Sequence, residues 1–327
     1  MSPPVISGAL GTLARGFSVA VVGATLVVAT TLPAAADDFP VSVVDDEGTS
    51  VMIDDFPERI ISLSPAITEV LYALGAGERL VGGTDFDDYP AEAAELPDVA
   101  TYNGVITEQV VALQPDLVLA AGNFFTPPDD IAVLRDLGYP VVVVYAPDVE
   151  TVMSDIELIG ESIGASEAAA AMTADLRTRL DTITAAATTG STPRTFYELG
   201  AEPEIYGPAP DSFLADMIVR AGGDPVTTGD PAAWSIPLEE LVVADPEVIV
   251  LGDAAYGTCP ADVAGRAGWG GLTAVVEGDV RAVDDVPITR PGPRLAQGLA
   301  SLARAIHPEL ELADYPPDPP MCDLDPR

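Results

Sequence analysis

Two glutamates that occupy equivalent places in two similar segments are the first candidates for a functional role. The segments are TEQVVALQPDLVLAAG at 107–122 and LEELVVADPEVIVLGD at 238–253. Glu108 and Glu239 each lie seven residues before a proline. The helix dipole stabilises a carboxylate in the first turn of a helix by about 0.3–1 kcal/mol, which would explain either glutamate alone. Their repetition favours a shared role, in which two carboxylates are presented to one partner.

The sequence lacks the residue sets of the common catalytic and metal sites. Its single histidine, His307, stands before a proline at the predicted end of a helix, where capping is the simpler role. One histidine cannot build a histidine-rich zinc or manganese site. No GxSxG elbow, P-loop or Ser–His–Asp arrangement is found. The acidic cluster at 85–88 lacks the spacing of a calcium loop. The sequence therefore indicates binding rather than catalysis, with no metal and no resident cofactor.

Aromatic side chains collect in the loops that follow the predicted strands, although aromatic residues make up only 6% of the chain. In open parallel sheets, ligands bind beyond the carboxyl ends of the strands. Any one of these aromatic residues is more often part of a core, but together they predict an apolar cleft for a large, flat ligand. The predicted ligand-binding residues are Ser64, Pro65, Tyr89, Tyr102, Asn103, Asn123, Phe124, Tyr206, Trp234 and Arg290; the same loops also carry Phe125, Tyr145, Tyr256 and Trp269.

The elements that must position these residues follow from the apolar patterns. Continuous runs such as LVL at 117–119 and VIV at 248–250 predict parallel strands that are buried on both faces. Because helix, proline turn and strand recur, we predict an α/β fold with two parallel-sheet lobes joined by a long rigid helix, kinked near Gly164. The predicted divisions are an N-terminal lobe at 37–149, the interlobe helix at 150–187, a C-terminal lobe at 188–307 and a proline-rich tail at 308–327.

The first 36 residues have the features of an export signal. Arg15 precedes an apolar segment at 17–32, and three alanines at 34–36 fit a cleavage site before Asp37. The sequence predicts a signal peptide over 1–36 and a periplasmic or extracellular mature chain; retention of the segment as an anchor is the alternative. The net charge of −38, from 52 acidic and 14 basic residues, would repel nucleic acid and anionic membrane surfaces.

Cys259 and Cys322 are the two cysteines of the chain. In an exported protein an even number of cysteines favours a disulfide, which would attach the tail to the second lobe. Two unpaired thiols are the alternative.

Several segments, in order, resemble one family. These are PERIISLSPAITEVLYALGAGERLVG, DDYP, TEQVVALQPDLVLA and RPGPRLAQGLASLARAIHPE, spread over about 57–308. They resemble the substrate-binding proteins of ATP-driven importers for cobalamin, haem and ferric siderophores. The resemblance implies the helical-backbone periplasmic binding protein fold, with a ligand held between the lobes. It also implies that Glu108 and Glu239, one on each lobe, meet arginines of a membrane permease.

For the ligand, the resemblance favours a corrinoid such as cobalamin. Tyr89, Tyr102 and Trp234 match cleft positions that hold aromatic residues in cobalamin binders, although Ala121-Gly122-Asn123 replaces a further aromatic residue of those proteins. Haem is the first alternative and would need an axial ligand such as Tyr206 or another tyrosine. A ferric siderophore, met by an arginine such as Arg290, is the second. An exported enzyme on a binding-protein fold is more remote. We expect a monomeric solute-binding protein.

Overall fold

The computed structural model describes residue 1 and residues 39–122, 125–317 and 321–322, and its strands form three sheets. The strands are β1 Val41–Val44, β2 Ser50–Ile53, β3 Ile60–Ser62, β4 Leu80–Thr84, β5 Asp98–Thr101, β6 Gly104–Val105, β7 Leu117–Ala121, β8 Val141–Val144, β9 Arg194–Glu198, β10 Asp224–Pro225, β11 Val248–Leu251 and β12 Val280–Ala282. The α-helices are α1 Pro65–Ala73, α2 Thr107–Leu113, α3 Pro128–Asp136, α4 Val149–Ser162, α5 Ser166–Ala187, α6 Phe213–Arg220, α7 Leu238–Ala244, α8 Pro260–Gly265, α9 Thr273–Glu277, α10 Val286–Thr289 and α11 Leu295–Ile306. Apart from residue 1, the predicted signal segment lies outside the described residues, as do Asn123 and Phe124.

The N-terminal lobe is built on a six-stranded sheet with the strand order β6-β5-β4-β3-β7-β8. Its neighbouring strands are parallel except β5 and β6. Alternate residues of β7 and β8 pack with α1 and α4 on one face and with α2 and α3 on the other. This double burial explains why both strands are apolar at successive positions. The lobe starts with a hairpin formed by the antiparallel pair β1 and β2.

The C-terminal lobe repeats this arrangement with a four-stranded parallel sheet, ordered β10-β9-β11-β12. In each lobe an arginine at the start of a central strand donates its side-chain Nε–H to carbonyl oxygens at the end of α2 or α7. Its backbone N–H donates to the acidic residue after the turn proline. The pairs are Arg59 with Asp116 and Arg194 with Glu247, each at 3.0 Å. The predicted repeat is therefore confirmed in atomic detail.

The connection between the lobes differs from the single kinked helix predicted for 150–187. The chain reverses at Gly164, whose φ of +72° lies in the left-handed region. Helices α4 and α5 then pack antiparallel, so that Glu150 pairs with Arg177 at 2.9 Å. Close approach requires glycine at 160, where an added Cβ would lie 2.3 Å from the Cβ of Ala169. The long helix that leads into the second lobe is α5, about 33 Å in length.

The core is continuous from one lobe to the other, because one apolar cluster includes residues of α1, α4, α5, α6 and α11. His307 is the C-cap of α11 and is buried, with Nε2 3.2 Å from the carbonyl oxygen of Gly222. The tail after His307 lies against the protein, since Arg304 donates to the carbonyl oxygen of Leu312 at 2.8 Å. Cys259 and Cys322 form the predicted disulfide. Within the described ranges, none of the helices has the length and apolar character needed to cross a membrane.

Candidate functional site

A cleft of about 590 Å³ opens between the two lobes, where β3, β7, β8 and β9 end. Parallel strands end at the same edge of a sheet, so the loops that follow them converge there. The lining is mainly apolar and comes from both lobes and from α4. It consists of Ser64, Pro65, Ala66, Ile67, Val70, Ala121, Phe125, Val144, Tyr145, Ala146, Asp155, Ile156, Ile159, Leu199, Ser212, Phe213, Leu214, Trp234, Thr289, Arg290 and Pro291.

Four of the predicted ligand-binding residues line this cleft. Ser64 and Pro65 do so because β3 ends at Ser62 and α1 begins at Pro65, which turns the chain at the edge of the sheet. Trp234 lies in the loop before α7, with 42% of its surface exposed. Its carbonyl oxygen accepts a hydrogen bond from the N–H of Gly207 at 3.0 Å, which anchors the loop to the lobe.

Four other predicted residues lie away from the lining. Tyr102 and Asn103 are in the turn between β5 and β6, at the outer edge of the N-terminal sheet, where Tyr102 is 90% exposed. Tyr89 packs on the guanidinium group of Arg294, 4.2 Å from the ring centre. Tyr206 forms isolated β-bridges within the C-terminal lobe and does not line the cleft. The sequence signals that a residue is in a loop, but the distance of the loop from the cleft depends on strand order.

The structure adds residues to the predicted set. Phe213 and Leu214 begin α6, and Asp155, Ile156 and Ile159 lie on α4. Ile156 and Ile159 belong to the buried apolar face of α4, and they also form part of the floor of the cleft. Asp155 is a carboxylic acid on this otherwise mainly apolar face, and such an acid is a signal in the sequence that could have indicated a binding role.

Arg290 is held by carboxylates that come from the other lobe. Its Nη1 lies 3.2 Å from Glu69 on α1 and 2.5 Å from Asp88 in the loop after β4. Glu69 also accepts hydrogen bonds from Arg294, at 2.6 and 2.8 Å. The side chain of Glu69 is 2% exposed, so its carboxylate is shielded from water, and its ion pairs join the two lobes beside the cleft. The positive charge of Arg290 is therefore neutralised before any ligand arrives.

Asp155 contributes a neutral carboxyl group to the floor. Burial, which is the largest cause, and the nearby carboxylates of Asp46 and Asp148 together raise its pKa to about 8. The acid is thus largely protonated at neutral pH. Among the described residues no group of three or more His, Cys, Asp or Glu side chains could hold a metal ion.

Glu108 and Glu239 occupy matching places on the two lobes. Each is exposed and lies in the first turn of a seven-residue helix, α2 or α7. Both helices end at a residue in the left-handed conformation, Gln114 with φ +48° and Asp245 with φ +45°. Because α2 and α7 have the same local geometry, each lobe exposes one carboxylate at the start of a short helix.

Comparison with known proteins gives consistent matches. A protein-family model with the description periplasmic binding protein matches residues 60–287 of the chain. A Bacillus subtilis protein described as an uncharacterized ABC transporter substrate-binding lipoprotein is 35% identical over 279 residues, which cover 83% of this chain and 87% of that protein. A cobalamin-binding protein of Halobacterium salinarum is 32% identical over 283 residues, covering 83% and 75% of the two chains. The crystal structure of a periplasmic haem-binding protein from Pseudomonas aeruginosa has 27% identity and a TM-score of 0.65, covering 78% of this chain and 94% of that one.

Proposed function

The chain belongs to the periplasmic binding protein family, and from that premise we propose that it captures a corrinoid such as cobalamin between its lobes. It is a substrate-binding protein of ATP-driven importers for cobalamin, haem or siderophore-type ligands, and it acts outside the cytoplasm. A membrane transporter is its partner. It is a binding protein and not an enzyme, so the hypothesis of an exported enzyme is dropped.

The observation that carries the corrinoid proposal is the charge state of the cleft. Arg290 is the one basic side chain among the described lining residues, and Glu69 and Asp88 already neutralise it. The remaining lining offers aromatic and aliphatic surface with a few hydrogen-bonding groups. A corrin ring has a broad apolar face and uncharged carboxamide arms, which suit such a surface.

Haem is the second candidate, and one residue favours it. Tyr145 lines the cleft where β8 ends and offers a phenol that could ligate iron, in place of Tyr206. Haem also carries two propionates, however, which need a positively charged partner, and Arg290 is already paired with Glu69 and Asp88. An anionic ferric siderophore meets the same obstacle.

Titration of the purified chain with cyanocobalamin, haemin and a ferric hydroxamate tests the proposal. We expect cyanocobalamin to bind, and to bind with little dependence on salt, because few charges meet. Binding of haemin alone, with a spectrum typical of tyrosinate ligation, would replace the corrinoid proposal by the haem one.

The aromatic contact gives a residue-level test. Trp234→Ala should weaken cyanocobalamin binding by about 2 kcal/mol or more, roughly 30-fold, because the indole offers a large aromatic surface to the cleft. Tyr256→Ala is the control, since Tyr256 is 88% exposed and does not line the cleft. Equal affinities of the two variants would remove Trp234 from the binding site.

We also propose that the chain is exported by cleavage after residue 36, works as a monomer and docks on its permease through Glu108 and Glu239. The support is the export-signal pattern and the matched exposure of the two carboxylates. Intact-mass measurement of the exported protein tests the cleavage site.

A further inference from the structure

One polar group in the floor of the cleft is left without a partner. Asp155 is 8% exposed and lines the cleft, between apolar residues such as Ile156 and Ile159. Its Oδ1 atom is buried and has no hydrogen-bond partner among the described residues. Buried polar atoms are nearly always hydrogen-bonded, so an unpaired oxygen at a binding surface points to a bond completed by the ligand.

The surroundings of Asp155 decide which kind of bond this is. Asp46, in the turn between β1 and β2, is hydrogen-bonded to Asp155. Asp46 is itself fixed to the end of β8, because its Oδ2 accepts the N–H of Tyr145 at 2.6 Å. The third nearby carboxylate, Asp148, accepts the N–H of Thr151 at 2.8 Å as the N-cap of α4. Two carboxyl groups that lie next to each other repel when both are ionised, so the state with one of them protonated and neutral is favoured. Asp155 is the protonated member of the pair, and because its Oδ1 has no partner, its Oδ2 is the atom that donates to Asp46 and Oδ1 is a carbonyl acceptor.

We propose that Asp155 is a specificity-determining residue whose free oxygen accepts a hydrogen bond from a carboxamide N–H of the ligand. The inference rests on the proposed corrinoid function and names the contact that selects this class. Corrinoids carry several primary carboxamides around the ring. The haem rim carries carboxylates, which are acceptors when ionised, so haem would leave the Asp155 oxygen buried and unpaired. Such a mismatch is the kind that discriminates strongly between similar ligands.

Three variants test the assignment by equilibrium titration with cyanocobalamin. Asp155→Asn keeps a donor toward Asp46 and an acceptor toward the ligand, so its affinity should stay within about threefold of the wild type. Asp155→Leu removes the acceptor and should lose roughly 5- to 100-fold. Asp253→Leu is the matched control, because Asp253 is also 8% exposed with an unpaired Oδ1 but does not line the cleft. Its affinity should not change. Thermal unfolding of each variant shows whether it is folded.

A change on the ligand side separates direct contact from a structural effect of the substitution. Each cyanocobalamin monomethyl ester replaces one carboxamide by an ester that has no N–H. One ester should bind the wild type and Asp155→Asn at least fivefold more weakly than the parent, and Asp155→Leu should bind both equally. The assignment is overturned if Asp155→Leu binds the parent as the wild type does, or if every ester behaves alike in both proteins. If the wild type binds no cyanocobalamin at all, the proposed function fails and this inference fails with it.

Discussion

Replacing Glu69 by alanine should destabilise the protein strongly, because Glu69 is the buried anion between two arginines from the other lobe. Its carboxylate lies 2.6 Å from Arg294 and 3.2 Å from Arg290, and its side chain is 2% exposed. Removal leaves Arg290 with the exposed carboxylate of Asp88 and leaves Arg294 with the ring of Tyr89. Breaking one partner of a buried ion pair typically costs about 3–5 kcal/mol.

The expected shift in the thermal midpoint follows from the size of the protein. An unfolding entropy of about 2.1 cal/mol/K per residue, over the roughly 280 described residues, makes 1 kcal/mol equivalent to roughly 2 °C. Glu69→Ala should therefore lower the midpoint by roughly 5–9 °C, measured by circular dichroism or calorimetry without ligand. Glu150→Ala is the control, because it removes the exposed Glu150–Arg177 pair and should cost less than about 1 kcal/mol. Equal shifts for the two variants would refute the reasoning that burial makes the Glu69 network strong.

Three further outcomes are expected. Exported protein that is denatured without reduction should show no titratable thiol, and two free thiols would contradict the pairing. Replacing Cys259 and Cys322 by serine should lower the free energy of unfolding by about 4 kcal/mol, the chain-entropy value for a loop of 63 residues. Replacing Glu108 and Glu239 by alanine should weaken docking and transport in a salt-sensitive way while ligand affinity is unchanged; a loss of ligand affinity would place them in the binding site. Asp155→Asn should stabilise the protein more at pH 9 than at pH 5. Burial and the neighbouring carboxylates raise the pKa of Asp155 from 3.8 to about 8 in the folded protein, so the stability contributed by its protonated carboxyl group is complete below pH 3.8 and is lost as pH rises through 8. Equal gains at both pH values would contradict the raised pKa.

Much of the architecture could be predicted because local patterns encode it. The runs at 117–119 and 248–250 are strands in the structure, and the segments before them are α2 and α7. Helix α1 begins at the serine-proline pair at 64–65, because proline is favoured in the first turn of a helix. In these cases the burial pattern and the turn chemistry of a few neighbouring residues determine the local structure.

The site was less predictable, because it depends on how distant segments pack. Tyr102 and Trp234 are both aromatic residues in loops, yet strand order places one at the edge of a sheet and the other in the cleft. Helix α4 packs in one core with α1 of the first lobe and α6 of the second, so that Asp155 becomes part of the floor of the cleft.

By itself, therefore, the sequence determined the two α/β lobes, the repeat that places Glu108 and Glu239 alike, and the pairing expected of two cysteines. Only the tertiary structure decided which loops meet and what charge the cleft presents. Glu69 and Arg290 are 221 residues apart, and no local pattern joins them. Periodicity reports which face of an element is buried, whereas the partners across that face are fixed by packing between elements.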